Sequence, residues 1–245
     1  MKHRAWILAL DRFEIGLRSK VAVNRNLFIK QTAIYYEATQ QVATHVAADH
    51  TRRLANILEK HYLTVMPFFV RATASGLKGR DRRLERKAIT AFESFMREWA
   101  STEALKKART IASTDIDEVT NVISKGLLEG STLAEISKDI RKYSGLSAYR
   151  ASVVARTETH NAATFATLES SKDTAEQTGF KLTKQWLPTN DKRTRDAHAS
   201  MSGSAPIPID EKFTVDGETM DRPGDPAGGA GNVINCRCQI LIAEQ

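Results

Sequence analysis

Apolar residues recur at helical spacing through the first quarter of the chain. Between Lys2 and about Val65 the sequence has no proline and one glycine, Gly16. The apolar positions follow the three-to-four-residue period of an α-helix: Ile7, Leu10, Leu17, Val21, Leu27, Ile34, Ala38, Val42, Val46, Leu54, Ile57 and Leu58. The pattern predicts one very long helix, or two helices that are separated near Asn24–Asn26.

Helix-breaking residues end this pattern before a second helical segment begins. Pro67 and the segment Ser75-Gly76-Leu77-Lys78-Gly79 interrupt it, because proline offers no backbone N–H and glycine weakens a helix. Helical spacing returns from about Asp81 to Ile111, at Leu84, Ile89, Phe92, Phe95, Met96, Trp99 and Leu105. We therefore expect residues 1–112 to form a helical arm, arranged as an antiparallel helical hairpin.

Three further helices are predicted in the middle of the chain. Thr114 precedes several acidic residues, a pattern typical of an N-cap and a first helical turn, and predicts a helix over 114–128. Thr132 stands three residues before Glu135, which is the spacing of a capping box and predicts a helix over 131–143. Ser147 opens a longer helix over 147–178, which Gly179 ends.

After Gly179 the apolar period changes from helical to alternating. The segment Phe180–Leu187 alternates and contains strand-forming residues, so it predicts a strand. Two short strands are expected within Pro206–Asp210 and Lys212–Met220, with Asp216-Gly217 as a hairpin turn. The pattern thus favours a small sheet after a helical first part.

A closing strand is predicted over Val233–Ile242, and it would carry both cysteines of the protein, Cys236 and Cys238. With this strand the sheet becomes small and mainly antiparallel. The predicted fold class is therefore α+β and mostly helical. Residues 113–245 would form a compact domain that holds the sheet.

The two halves of the chain carry opposite net charge. Up to Thr110 there are 21 Lys and Arg residues against 10 Asp and Glu, a net +11; the remainder has 15 against 19, a net −4. The basic excess is densest in one cluster, Lys78, Arg80, Arg82, Arg83, Arg86 and Lys87. Such a field attracts nucleic acid or an acidic protein surface. Because Asp81 and Glu85 interrupt the cluster, it is equally typical of a solvated helical face.

The sequence excludes two broad classes of protein. No apolar run approaches the roughly 18 residues that a membrane-spanning helix needs. Two cysteines that are one residue apart do not make the disulfide framework of a secreted protein. We therefore expect a soluble intracellular protein.

Residue types that serve in catalysis and metal binding concentrate in the second half of the chain. In the predicted helix over 147–178, Arg156 and His160 are four residues apart and share a face. Asp191 can cap a short helix over 192–201, on which Arg195 and His198 lie on one face. The full set is Arg156, Thr157, Glu158, His160, Trp186, Asp191, Arg193, Arg195, His198, Asn235, Cys236 and Cys238.

The first interpretation of this set is a metal site. Thiolate and imidazole ligands suit zinc, and Cys236, Cys238, His198 and His160 are the candidate ligands. Residues two apart on a regular strand stand roughly 6.6 Å apart at their Cα atoms. Two thiolates on one tetrahedral ion must come closer, so the strand would have to bend at the cysteines.

The second interpretation is catalysis. A cysteine beside a histidine can form a nucleophile and base pair, and Glu158 or Asp191 could orient the imidazole, as in a metal-dependent hydrolase or a toxin-like enzyme. The sequence contains no recognisable nucleophile elbow, phosphate-binding loop or metalloprotease helix. The enzyme hypothesis therefore rests on the residue types alone.

The third interpretation is structural. Long loops over a small sheet leave little apolar core, so buried Arg, Glu, Asp and His side chains would tie the loops to the helix beneath through hydrogen bonds. The two cysteines would then act as small apolar residues. Trp186 and Trp99 are expected in the core.

Taken in order, these motifs resemble the phage Mu F-like head morphogenesis family of minor capsid proteins. The resemblance covers roughly Thr114–Leu241, about half of the chain. It is carried by Arg156-Thr157-Glu158, the strand of Trp186, Asp191-x-Arg193-x-Arg195-x-x-His198, Phe213, Pro223-Gly224-Asp225-Pro226 and Asn235-Cys236-Arg237-Cys238. Residues 113–245 would accordingly be the Mu F-like domain.

The resemblance implies a minor head protein of a tailed phage or prophage, structural rather than enzymatic, which serves head assembly and DNA packaging or delivery. It would reside in the virion, in the capsid interior near the portal, and in the host cytoplasm during assembly, with no membrane association. The expected partners are the portal protein and capsid or scaffold proteins. The basic N-terminal half would add non-specific contacts with double-stranded DNA. A structural zinc ion is the one cofactor that the residues indicate.

Overall fold

The structure is a computed structural model that describes residues 3–77, 82–143 and 147–245, without the side chains of residues 77, 82–91 and 147. The described residues confirm the predicted class, a mostly helical α+β fold with small antiparallel sheets. In chain order the elements are α1 (His3–Thr39), α2 (Thr44–Leu77), α3 (Arg82–Leu128), α4 (Leu133–Lys142), α5 (Ser147–Thr178), β1 (Leu182–Leu187), α6 (Asp196–Ala199), β2 (Ile207–Pro208), β3 (Phe213–Val215), β4 (Glu218–Met220), α7 (Ala230–Val233) and β5 (Gln239–Glu244).

Helix α1 continues through Asn24–Asn26 and ends at Thr39, so neither predicted alternative holds: the segment forms two helices, but they are not separated near Asn24–Asn26. The side-chain nitrogen of Asn24 lies 3.0 Å from Nδ1 of His50, and the guanidinium of Arg25 is buried against Asp115. These polar residues stay inside the helix because neighbouring helices satisfy them. The chain instead turns at Gln40, whose φ is 59°.

Helix α2 runs through Pro67, so the interruption predicted at this proline is also wrong. Proline inside a helix costs about 3 kcal/mol, because it removes a hydrogen bond and crowds the preceding turn. The residues around it are fully buried, namely Val65, Met66, Phe69 and Val70. Each buried side chain contributes about 1.5–3 kcal/mol, which more than offsets the cost of the proline.

Helix α3 extends without interruption to Leu128, so the separate helix predicted over 114–128 is wrong. The hydroxyl of Thr114 donates to the carbonyl of Thr110 at 3.2 Å inside the helix, and does not cap a new one. Asp115 accepts from Nε of Arg25 at 2.9 Å. The region 1–112 therefore holds parts of three helices rather than the predicted pair, and its division from 113–245 as a separate arm stays a prediction.

The capping signals of the next two helices are confirmed. The hydroxyl of Thr132 accepts from the backbone N–H of Glu135 at 3.3 Å, and the Glu135 carboxylate accepts from the backbone N–H of Thr132 at 2.8 Å. Helix α5 ends at Thr178, where Gly179 takes a φ of 75° and donates its N–H to the Ala175 carbonyl at 2.8 Å. These local rules hold because both partners are close in sequence.

The chain clusters into two compact units. The first unit comprises Met1–Glu14, Tyr62–Glu98 and Arg156–Gln245, and the second comprises Ile15–His61 and Trp99–Ala155. Helices α1, α2, α3 and α5 each contribute residues to both units. None of the helices in the described part of the chain is long and apolar enough to cross a membrane.

The second unit combines an apolar core with a buried ionic group. Its core comprises Phe28, Ile29, Ala33, Tyr36, Ala43, Val46, Val119, Ile123, Ile136 and Ile140. Asp115 accepts from Nε of Arg25 and Nε of Arg150, both at 2.9 Å, and lies 3.0 Å from Nε2 of His50. Burial raises the pKa of Asp115, but these hydrogen bonds and the two guanidinium charges outweigh burial and lower it overall. The carboxylate therefore stays ionised and holds four helices in register.

The first unit contains both sheets. Strand β1 is the centre of a three-stranded antiparallel sheet in the order β2-β1-β5, with Trp186 opposite Ile240. Strands β3 and β4 form the predicted hairpin, and its turn residues Asp216 and Gly217 have φ values of 52° and 74°. The core between the sheets and α5 comprises Leu168, Leu182, Trp186, Ile209, Phe213, Val215, Met220, Cys236, Cys238 and Ile240.

The closing strand begins later than predicted. Strand β5 covers Gln239–Glu244, whereas Val233 ends the short helix α7. Asn235 follows with a φ of 60° and turns the chain. The prediction that the strand carries both cysteines is therefore wrong, because a helical turn and a left-handed residue occupy its expected first half.

Candidate functional site

Three predicted ligands, His198, Cys236 and Cys238, meet in the core of the first unit. Nδ1 of His198 lies 3.8 Å from Sγ of Cys236 and 3.4 Å from Sγ of Cys238. The three ligand atoms all lie within 4.8 Å of one another, and each residue is only 2% exposed. Both cysteines are free thiols. The structure thus brings together a soft, buried set of donors.

The turn before β5 makes this convergence feasible. Cys236 and Cys238 lie in an irregular segment between α7 and β5, and not on a regular strand. The backbone N–H of Cys236 donates to the carbonyl of Val233 at 3.2 Å, which tightens the turn at Asn235. The two thiols can therefore face one imidazole.

Asn232 orients the imidazole of His198. Nε2 of His198 lies 3.2 Å from Oδ1 of Asn232, an atom that can only accept a hydrogen bond. We therefore assign the ring proton to Nε2, which leaves the lone pair of Nδ1 facing the thiols. The Asn232 amide in turn donates to the Glu218 carboxylate at 2.7 Å. This bond, with the N–H of Gly229, lowers the pKa of Glu218.

The two thiols have different acidities. A hydrogen bond from Cys236 to Cys238 lowers the pKa of Cys238 and outweighs burial, which raises it. The same hydrogen bond raises the pKa of Cys236, and burial raises it further. Cys238 is therefore the thiol that ionises first.

His160, the fourth predicted ligand, contacts the backbone beside the thiols. Its Nε2 lies 2.7 Å from the carbonyl oxygen of Cys238. Full burial lowers the pKa of His160 to about 4, so the ring is neutral. Gly224 packs directly on the ring, since a Cβ atom at that position would lie 2.5 Å from Nδ1. His160 thus positions the cysteine segment and the 223–226 loop on α5.

Arg156 and Thr157 hold the turn at Asn235. Nη1 of Arg156 donates to the side-chain oxygen of Asn235 at 2.9 Å. The backbone N–H of Asn235 donates to the Thr157 hydroxyl at 3.1 Å. Arg195 donates to the carbonyl of Ile234 at 2.5 Å. Nε of Arg156 lies 3.5 Å from the Glu14 carboxylate. Three of the motif residues, two on α5 and one directly before α6, therefore converge on one turn.

Glu158 and Trp186 are buried but do not join the thiols as ligands. The Glu158 carboxylate accepts from the hydroxyl of Tyr62 at 2.5 Å. Trp186 is 1% exposed, as expected of a core residue, and meets the rings of His198 and Phe213 edge-on at 5.3 and 5.5 Å. Trp186 thus forms one wall around His198.

Asp191 and Arg193 lie on an exposed turn away from the buried cluster. The Asp191 carboxylate accepts from the backbone N–H of Arg193 at 2.9 Å and from the Thr194 hydroxyl at 3.2 Å. The helix predicted over 192–201 is wrong in extent, because α6 covers Asp196–Ala199 only. Asp191 stabilises a turn by the local bonds typical of aspartate, and does not cap that helix.

The predicted nucleic-acid cluster lies outside the residues whose side chains the structure describes. It comprises Lys78, Arg80, Arg82, Arg83, Arg86 and Lys87. Its part in binding stays a prediction.

Arg222 is the main residue that sequence reasoning missed. It is 4% exposed and donates to the side-chain oxygen of Asn161 at 2.7 Å and to the hydroxyl of Thr164 at 2.8 Å. Its guanidinium lies 5.4 Å from the ring centre of Phe165. The one available signal was its position directly before the Pro223-Gly224-Asp225-Pro226 loop. Arg222 anchors that loop on α5.

Sequence reasoning also missed Lys184 and Asn232. Lys184 occupies an inward position of β1, is fully buried, and donates to the carbonyl of Asp221 at 2.9 Å. Burial lowers the pKa of Lys184 to about 8. Lys184 lies on the same face of β1 as the buried Leu182 and Trp186, but lysine is rarely buried, so its residue type does not indicate this position. Asn232 gave no signal within its glycine-rich surroundings.

Comparison with known proteins now decides the family. Residues 117–241 match the model of the family described as "Phage Mu protein F like protein". The matched range is about half of the chain and contains His160, His198, Cys236 and Cys238. The chain belongs to the phage Mu F-like family.

Two curated relatives match about half of the chain each. One is "NAD(+)--arginine ADP-ribosyltransferase EFV" of Enterococcus faecalis (strain ATCC 700802 / V583), 36% identical over 123 residues, which are 50% of this chain and 25% of that protein. The other is "Minor head protein GP7" of Bacillus phage SPP1, 28% identical over 127 residues, 51% of this chain and 40% of that protein. The matches thus span well under two thirds of either relative. No solved structure matches the chain.

Proposed function

We propose that the protein is a minor head protein of a tailed phage or prophage, with a structural role in head assembly and in DNA packaging or delivery. The observation that carries this proposal is the similarity to the minor head protein of phage SPP1 within a chain that belongs to the Mu F-like family. The proposed site of action is the portal and the procapsid interior.

The geometry supports a structural role. Three buried polar side chains bind other parts of the same chain: Glu158 binds Tyr62, His160 binds the Cys238 backbone, and Arg222 binds Asn161. A catalytic group must instead reach a substrate in a cleft. These hydrogen bonds join the loop at Arg222, the segment before β5 and helix α2 to α5, so they cross-link the fold.

The enzyme alternative, a metal-dependent hydrolase or a toxin-like enzyme, has less support. It assigns a role beside the thiols and His198 to Glu158, whose carboxylate binds the Tyr62 hydroxyl. The transferase activity in the name of one relative belongs to a protein of which this match covers only 25%. We therefore do not transfer that activity to this chain.

We further infer a structural zinc ion held by His198, Cys236 and Cys238. Zinc–sulfur bonds of about 2.3 Å and zinc–nitrogen bonds of about 2.0–2.1 Å in a tetrahedron separate the ligand atoms by roughly 3.5–3.8 Å. The observed separations of 3.4 and 3.8 Å fit, and Asn232 holds the tautomer that a ligand needs. A bound ion would supply rigidity to the irregular segment between α7 and β5.

Metal analysis of the purified full-length chain tests this zinc site. One equivalent of zinc is expected, and it should be lost in His198→Ala and in Cys236→Ser. The exposed His45 provides the control, since His45→Ala should keep the metal. If wild type and all three variants bind one equivalent of zinc, the ion sits elsewhere.

The partners follow from the same proposal. They are the portal protein and capsid or scaffold proteins, met in the host cytoplasm during assembly and kept in the virion interior near the portal. The net charge of +11 up to Thr110 supports a non-specific contact with double-stranded DNA. We expect the full chain to retard DNA at low salt. This retardation should be lost when the basic residues of the cluster at 78–87 are replaced by neutral ones.

Deletion and complementation in the encoding phage or prophage test the head role. Deletion should reduce the number of DNA-filled heads in electron micrographs, and the protein should co-purify with the portal. Glu158→Gln should restore heads, because an amide oxygen still accepts from Tyr62, whereas an enzyme that uses Glu158 as a base would lose activity. Normal infectious heads in the deletion strain would contradict the proposal.

A further inference from the structure

Helix α1 has a second apolar face, which points to solvent. Within the second unit this face, the α1 stripe, carries four large aliphatic residues that are 38–65% exposed: Ile15, Val23, Leu27 and Ile34. Ser19 and Lys30 complete the stripe and are also exposed. At roughly 100° per residue, all six positions fall within an arc of about 120°. They therefore form one continuous strip along the helix.

The opposite face of α1 is buried. Leu17, Val21, Phe28 and Ile29 are at most 3% exposed and belong to the interior. A helix that is apolar on both faces is typical of one covered on both sides. Contiguous exposed apolar surface marks an interaction site. The α1 stripe therefore has the character of an interface.

Between Ile15 and Tyr36, the charged side chains that α1 itself carries are of one sign. From Ile15 to Tyr36 the sequence contains no Asp or Glu. Arg18, Lys20 and Lys30 are exposed, whereas Arg25 is buried beside Asp115. The surface that α1 offers is thus aliphatic with one lysine within it and cations beside it, and its complement is aliphatic with carboxylates.

We propose that the α1 stripe binds an acidic amphipathic helix of a partner protein. The stripe is about 29 Å long from Ile15 to Ile34, at about 1.5 Å per residue, which matches a helix of some five turns. Spacings of three and four residues are those through which helices pack side by side. The carboxylates of the partner pair with Arg18 and Lys30.

Charge and chemistry exclude two other occupants in favour of this one. A second copy of α1 would place cations against cations, which destabilises a helix pair. Duplex DNA presents phosphates and groove edges, and would leave the four aliphatic side chains of the stripe without apolar contacts. This inference rests on α1 alone and goes beyond the head role.

Binding of a designed peptide to the full chain tests the proposal. The probe is a fluorescein-labelled 21-residue helix with leucine at three-to-four spacing and flanking glutamates; its twin carries lysines in place of the glutamates. Fluorescence anisotropy should show binding of the acidic peptide only, with an affinity that falls as salt rises. Val23→Asp and Ile34→Asp should each weaken binding at least tenfold. Leu127→Asp, at a site that is 61% exposed on α3, is the matched control and should bind as wild type.

Charge reversal sharpens the result. The double substitution Arg18→Glu and Lys30→Glu should transfer the preference to the lysine peptide, with an unchanged circular dichroism spectrum. Equal binding of both peptides to wild type, or full binding by Val23→Asp, would overturn the proposal. Binding to vesicles of phosphatidylglycerol but to neither peptide, or a wild-type dimer in sedimentation that Val23→Asp dissolves, would also overturn it in favour of a membrane or a second copy.

Discussion

Nε2 of His198 lies 3.2 Å from Oδ1 of Asn232, and this contact determines which ring nitrogen faces the two thiols. Without the amide, the ring could rotate or take the other tautomer. We predict that Asn232→Ala lowers zinc affinity about 10–100-fold, the usual effect of removing a group that orients a ligand. Competition with a chromogenic chelator measures this loss.

The exposed Asn121 on α3 provides the control for that experiment. Asn121→Ala should leave zinc affinity unchanged. If Asn232→Ala also binds zinc as tightly as wild type, His198 is not a ligand through Nδ1.

The contact between Gly224 and His160 predicts a steric effect on stability. Gly224 has a φ of 75°, and a Cβ there would lie 2.5 Å from Nδ1 of His160. Gly224→Ala should cost about 1–2 kcal/mol for the left-handed backbone, and about 1–3 kcal/mol more for displacing the ring. Urea denaturation followed by circular dichroism measures the sum.

Gly203 allows the two parts to be separated. It has nearly the same φ, 76°, but a Cβ there meets nothing within 4 Å. Gly203→Ala should therefore show the backbone cost alone. Equal losses in both variants would mean that His160 and Gly224 are not in close contact.

Arg222 should be essential to the loop that it anchors. Arg222→Lys removes the two-pronged donor geometry that reaches both Asn161 and Thr164, so a buried acceptor loses its partner. The expected loss is about 1–3 kcal/mol in the free energy of unfolding. Arg193→Lys, at an exposed turn, should stay within about 0.5 kcal/mol of wild type. A loss for Arg222→Lys no larger than for the control would refute the anchoring role.

His61 predicts how stability depends on pH. Burial, assisted by the charge of Lys20, lowers the pKa of His61 to about 4. The unfolded chain, with an ordinary histidine pKa near 6.5, then binds more protons than the folded one between about pH 4 and 6.5. Stability is therefore full above about pH 6.5 and is lost as pH falls towards 4, by up to about 3 kcal/mol from this residue.

Denaturation at pH 7 and pH 4.5 tests this sign. His61→Gln should lose less stability between the two values than wild type does. His45→Gln, at an exposed site, should lose as much as wild type. An identical pH dependence of stability for wild type and His61→Gln would show that His61 does not cause the loss of stability at low pH.

Sequence reasoning succeeded where the deciding contacts are local. The capping box of Thr132 and Glu135, the stop at Gly179 and the Asp216-Gly217 hairpin each depend on partners within a few residues, and all three are confirmed. It failed where distant packing overrides a local signal. Pro67 is held inside α2 by buried neighbours.

The site shows the same division. The pattern named His198, Cys236 and Cys238, which the structure brings together. It could not place His160 on the carbonyl of Cys238, because that contact depends on how the segment before β5 lies over α5. Nor could it show Asn232, whose role depends on the distance to a histidine 34 positions away in sequence.

Quantitative mass spectrometry of purified DNA-filled heads, from the phage or prophage that encodes the chain, tests the central claim most directly. The account predicts that the protein is a constituent of the heads, in far fewer copies than the major capsid protein. It also predicts that wild type and Glu158→Gln are incorporated equally, whereas Gly224→Ala is reduced. Abundant protein in the infected cell, but none in the purified heads, would contradict the claim that it is a structural head protein.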